Sequence, residues 1–259
     1  MTTRHTISHA DELYSGNAFK AGYSPDGRRG IKMTHLYAHE FKSTAGVAAL
    51  AANPDGLFSS MKPSLLTATG KNLISLAQGT MVSVGSTIIS FDVPRNITFS
   101  SSNTATGVYL KLEGLDQYGE PMAEAIKGAG AGAWASGKRC FKSLSKIYTT
   151  AAFTTTVSIG TGARLGLPFH LQTKAGLLGV SVDGHFCSGT TGAFTVHIGA
   201  SSATTMTSSG GQPDARGAIV MLSPAPDGSK RISALMVVDH STDRAAFGPP
   251  QVSSCSNAV

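Results

Sequence analysis

The stretch Gly107 to Ile126, GVYLKLEGLDQYGEPMAEAI, limits what this chain can fold into more than any other. Val108, Leu110 and Leu112 alternate with Tyr109, Lys111 and Glu113, so in an extended chain the aliphatic side chains share one face. DQYGEP then reverses the chain: Gly119 tolerates positive φ, and Pro121 discourages helix before the return. The expectation is a half-buried hairpin with one core face and one wet face. Further strand candidates follow at FKSLSKIYTT, FTTTVSIGTG, LLGVSVDG, GAFTVHIG, GAIVMLS and RISALMVVD, separated by Gly, Asp, Ser or Pro, with no helical pattern between them. Upstream, TMVSVGSTIISFDVP reads as a strand broken at Gly85 and stopped by Pro94, after which RNITFSSS starts the next. This spacing predicts an all-β fold, a β-sandwich of Ig-like or jelly-roll-like type. Its core should include Val108, Leu110, Leu112, Ile126, Ile147, Val157 and Ile159.

The beginning of the chain reads differently. SGNAFKAGYSPDGRRGIKMTHLYAHEF sustains neither a period of 2 nor one of 3.6, which suggests an extended, largely irregular N-terminal arm. One short helix is expected near residues 44–52, in STAGVAALAANP, capped by Ser43 or Thr44 and stopped at Asn53-Pro54. The expected organisation is an arm over 1–78, a sandwich over 79–247 that can divide into two subdomains near 170, and a tail over 248–259. Within the arm Lys20, Arg28, Arg29 and Lys32 lie in a glycine-punctuated stretch and are the candidate partner-binding residues. Charged residues make up only 14% of the chain, against about 25% in ordinary soluble domains, so Ser, Thr, Gly and Ala must cover much of the surface. Such a surface costs little to desolvate against another subunit.

Candidate chemistry is sparse. His5 and His9, and His35 and His39, share an i, i+4 spacing that would align them on a helix, but neither segment has helical periodicity. His185 and Cys187 would share a strand face with Asp183 nearby, too confined to converge on a substrate as a nucleophile, base and orienting group must. GVSVDG around Ser181 departs from the GxSxG turn, Ser143 and Lys146 satisfy only the commonplace SxxK, and Thr67–Asn72 lacks the first glycine of a phosphate loop. Cys140, Cys187 and Cys255 form no CxxC pair and are expected reduced. Lys127, Lys138, Arg139, Lys142 and Lys146 form a basic run around Trp134, read as a solvated loop, and no aromatic ladder accompanies it for stacking on nucleic acid. The expectation is no enzyme, no cofactor and no metal. The first residues lack the apolar core of a signal peptide and no apolar run suits a membrane span, which suggests synthesis in a cytoplasm and no membrane partner.

Taken together, FDVPRNITFSSS, GVYLKLEGLDQYGEPMAEAI, KSLSKIYTT, VSIGTGARLGLPFHL and DARGAIVMLSPAPDGSKRISALMVV resemble strand and turn patterns of virion structural proteins of tailed bacteriophages, in particular head decoration and stabilisation (cement) proteins. The resemblance covers roughly residues 81 to 240 and does not reach the arm. It implies a non-enzymatic β-sandwich on the capsid exterior, bridging major capsid protein subunits as a homo-oligomer, dimer or trimer, without touching nucleic acid. A tail, neck or head-fibre component is the alternative within virions. A carbohydrate-binding or adhesin module is the alternative from another class, and would need an aromatic platform.

Overall fold

The computed structural model describes residues 34–43, 45–61, 72–73, 88–149, 155–187, 192–200, 214–239, 246–249 and 251. Its strands are β1 (Thr34–Glu40), β2 (Phe58–Met61), β3 (Asn72–Leu73), β4 (Ile89–Ser101), β5 (Tyr109–Leu115), β6 (Pro121–Lys127), β7 (Trp134–Ser136), β8 (Phe141–Thr149), β9 (Val157–Gly166), β10 (Leu177–Val182), β11 (His185–Phe186), β12 (Ala193–Ile198), β13 (Gly217–Ser223) and β14 (Ile232–Asp239). They form two antiparallel sheets packed as a β-sandwich. One is four-stranded in the order β1-β14-β10-β11; the other is ten-stranded along β12-β13-β9-β4-β8-β5-β6, with β2, β3 and β7 paired beside it.

Two apolar cores result. The first gathers Ile89, Phe91, Ile97 and Phe99 of β4, Leu110 and Leu112 of β5, Ile126 of β6, Phe141, Leu144 and Ile147 of β8, and Val157 and Ile159 of β9; Val108 packs against it partly buried. All seven core residues expected from the alternation lie here. The second core lies between the four-stranded sheet and the β9–β13 end of the large one, with Val180, Ile232, Ala234, Met236 and Val238 meeting Leu165, Ile219 and Met221. β4 and β9 contribute to both cores and so join them.

Four expectations need correction. Pro94 does not end a strand: β4 runs through it, the register against β8 breaks between Ser90 and Arg95, and Arg95 pairs with both β8 and β9. A proline is tolerated there because an irregularity needs no ladder hydrogen bond from it. The short helix near 44–52 is not formed. Gly46, at φ +81, lets the chain reverse, Ser43 and Val47 close the turn through the Ser43 amide and side chain, and Lys42 bridges to Ala48. Burial of Phe41 and Ala49 in the second core holds this geometry against the helical preference of the alanines. Nor do residues 34–61 lie apart as an arm, since β1 pairs with β14 along its whole length and Leu57 and Phe58 enter the first core. The supposed wet face of β5 is also closed: Tyr109 is 7% and Lys111 5% exposed, with Tyr148 beside Lys111 on β8.

Candidate functional site

The densest chemistry lies at the junction of the two cores. The tip of the β5–β6 hairpin is clasped there by Arg216, at the start of β13. Asp116 accepts hydrogen bonds from the amides of Tyr118 (2.7 Å) and Glu120 (3.0 Å) through Oδ1 and from Arg216 Nη1 (2.5 Å) through Oδ2. The same guanidinium reaches Glu120 at 3.3 Å and lies 4.7 Å from the centre of the Tyr118 ring. Gln117 and Tyr118 donate to the carbonyls of Leu167 and Pro168, so the tip is fastened to the chain leaving β9. Desolvation pushes the Tyr118 hydroxyl up to about 12 despite the nearby Arg216.

Two more buried carboxylates continue this junction. Asp214 accepts from the amides of Cys140 and Arg216 and from the side chain of Gln251. Glu124 of β6 accepts from the amides of Lys138 (2.6 Å) and Arg139 (3.3 Å), tying β6 to the chain that follows β7. Burial raises its carboxyl to about 7, against the pull of those amides and of the Arg139 charge. Arg139 itself is fully buried and donates to the Ala123 carbonyl. On the far side of β4, Asp92 holds Arg95 by a two-pronged pair (2.8 and 2.9 Å) and accepts from the Leu50 amide. Burial alone would raise Asp92; the Arg95 contacts outweigh it and hold the carboxyl below its usual range.

The residues singled out in sequence do not converge. In the basic run, Arg139 is interior, Lys142 donates to the carbonyls of Phe91 and Asp92, Lys146 pairs with Glu113, and Lys127, Lys138 and Trp134 are on the surface. Ser143 is buried and Lys146 exposed, and Lys146 is paired with Glu113 and not with Ser143. Asp183 occupies the β10–β11 turn and accepts from the Arg231 amide, His185 is exposed, and Cys187 packs partly buried against the second core, where desolvation raises its thiol. Cys140 is buried and its thiol is pushed well up, first by desolvation and then by Asp214. His35 and His39 sit on a strand and point to the inner face, where burial lowers His39 to about 4 and its ring meets Phe41 edge-on. Among the described residues no group of three or more His, Cys, Asp and Glu is placed to hold a metal, and no helix is long and apolar enough to cross a membrane. Lys20, Arg28, Arg29 and Lys32, with His5, His9, Cys255 and Thr67–Gly70, lie outside the described residues.

One surface that the sequence did not single out stands apart. The outward residues of the four-stranded sheet include Leu36 and Ala38 of β1, Leu235 and Val237 of β14, Leu178 of β10 and Phe186 of β11, beside the polar Glu40, Ser181, Ser233 and Asp239; Leu36, Leu178 and Phe186 are 63%, 55% and 59% exposed. Comparison with protein-family models, curated proteins and solved structures finds no match to this chain.

Proposed function

We propose that this chain is a non-enzymatic structural protein of a tailed-phage virion, a cement that binds the outer surface of the capsid and bridges neighbouring major capsid subunits. One observation carries the reading. Among the described residues Glu124, Asp214, Asp116, Cys140 and Ser143 are interior, and the three carboxylates bond to backbone amides and to Arg216, while the outer face of the four-stranded sheet exposes Leu36, Leu178 and Phe186. Charges spent in this way lock two cores into one block, which suits a part that bears load, and a weakly charged exterior suits close contact with other subunits. Lys20, Arg28, Arg29 and Lys32 would pair with carboxylates on the shell; exposed pairs contribute about 0–1 kcal/mol each, so contact area and multiplicity must supply the grip.

The test is to mix the purified chain with capsids that lack it and follow co-sedimentation and heat resistance of the shells. Saturable binding that raises the temperature of shell rupture is expected, and a chain without residues 1–33 should bind more weakly. A chain that ignores capsids but attaches to isolated tails would overturn the capsid assignment.

A further inference from the structure

The chain contains four Asp-Gly steps, at Asp26, Asp55, Asp183 and Asp227. Asp26 and Gly27 lie outside the described residues. An aspartate followed by glycine can close on itself: the glycine amide nitrogen attacks the carboxyl carbon of the side chain, the protonated carboxyl loses one oxygen as water, and a cyclic imide forms. Water then opens the ring at either carbonyl, returning aspartate or giving isoaspartate, in which the main chain runs through Cβ. One water leaves and one enters, so no oxidant, reductant or cofactor is needed. Glycine permits the step because no Cβ shields its nitrogen. The fold decides which step can take it, since the glycine amide must be free to attack, the carboxyl must be open to protonation, and the ring needs room.

Two of the described steps lack these conditions. The Gly56 amide donates to the Asn53 carbonyl at 3.1 Å, and Gly56 is buried next to Leu57 of the first core. The Gly228 amide donates to the Ala49 carbonyl at 2.9 Å. The Asp227 carboxylate accepts from the Ser229 amide (3.0 Å) and hydroxyl (2.8 Å), from the Lys230 amide (3.0 Å) and from the Lys230 ammonium. These donors, the Lys230 side chain foremost, hold the carboxyl below its usual range and away from the protonated form that loses water.

Asp183 and Gly184 differ on each count. They are the whole loop between β10 and β11, closed by the pair Val182 and His185, and take φ +51 and +84, the positive values of a primed hairpin turn. Both are exposed. The Gly184 amide donates to no described residue, and a Cβ built on Gly184 would meet nothing within 4 Å. Asp183 Oδ1 accepts from the Arg231 amide at 2.9 Å, while Oδ2 has no partner among the described residues and is the oxygen able to take a proton and leave. β11 is two residues long and ends the four-stranded sheet, so few ladder contacts hold this turn closed.

We propose that Asp183–Gly184 is a modification site, where the chain converts spontaneously through a cyclic imide to isoaspartate, selected by the fold over the other described Asp-Gly steps. The conversion adds the Asp183 Cβ to the main chain. The loop then carries one backbone atom too many for the pairing of Val182 with His185, and the carboxylate leaves the Arg231 amide. The change accumulates with the age of the protein and needs no partner, so it stands whether or not the chain binds capsids.

The experiment is to hold the full chain at neutral pH in water enriched in heavy oxygen, folded or unfolded in guanidinium chloride, and to follow isotope uptake and isoaspartate by mass spectrometry of its peptides. The peptide with Asp26 is scored apart. In the folded chain the Asp183 peptide should gain both at least about tenfold faster than the Asp55 and Asp227 peptides, whose glycine amides must first give up a hydrogen bond. In guanidinium chloride the three rates should converge, because only the local sequence is left to set them. Asp183→Glu, which cannot close the same ring, should hold uptake at this peptide to background. Equal rates in the folded chain, a faster Asp55 or Asp227 peptide, or an order that persists unchanged in guanidinium chloride overturns the proposal.

Discussion

Leu110 is 1% exposed and lies in the first core between Ile126 and Thr149 of the flanking strands. Leu110→Ala should therefore cost about 2–5 kcal/mol in denaturant unfolding, from lost transfer energy and from the cavity left behind; a change near zero would show that the residue is not packed as described. Glu124 makes a prediction of opposite character, because its carboxyl is raised from 4.5 to about 7. The folded chain binds this proton more tightly than the unfolded one. The corresponding stability is present below about pH 4.5 and is lost as pH rises through about 7. His39 acts in the reverse sense: lowered from 6.5 to about 4, its contribution holds above 6.5 and is lost as pH falls through about 4. Urea midpoints of the unaltered chain and Glu124→Gln, taken from about pH 5 to about pH 8, should show the unaltered chain losing ground to the variant as pH rises. A difference independent of pH would refute the assignment.

At the scale of elements, the β5–β6 hairpin shows how much of a strand pair can be read directly. Its alternation and turn are where the sequence puts them, since Asp116 caps the turn through two amides and Gly119 takes φ +84. Its fastening is not legible, because Arg216 is a hundred residues away from Asp116 along the chain. Arg216→Ala should cost about 3–5 kcal/mol, as it strands the buried Asp116 carboxylate. Glu120→Ala, on the same guanidinium but 62% exposed, should cost no more than about 1 kcal/mol. Equal losses in equilibrium unfolding would show that burial does not separate the two contacts. β1 was missed for a different reason. Its alternation is complete, but the inward residues are His35, Tyr37 and His39 while the outward ones include Leu36 and Ala38, so polarity suggests the wrong face.

The whole molecule joins sequence-distant pieces into a single sandwich, and truncation tests this. Removing residues 1–33 takes away no described core residue and should leave a cooperative thermal transition. Removal through Met61 deletes β1 and β2 with Phe41, Ala49, Leu57 and Phe58, and should abolish that transition. If the longer truncation melts cooperatively near the temperature of the full chain, residues 34–61 are an appendage after all.

What the sequence determined alone is local: a period of two over short segments, turns at Gly and Asp, and with them the all-β class and the residues of the first core. Those signals act within a few residues of chain and survive whatever the rest of the molecule does. Tertiary structure alone decided which polar residues are interior and which apolar ones are outside. Arg139, Lys111 and Glu124 are buried because distant carbonyls, amides and side chains meet them, whereas Leu36, Leu178 and Phe186 are exposed because strand pairing, a bulge and a glycine turn them outward. Composition cannot show either, since burial belongs to the place where several strands meet and not to a residue's own chemistry.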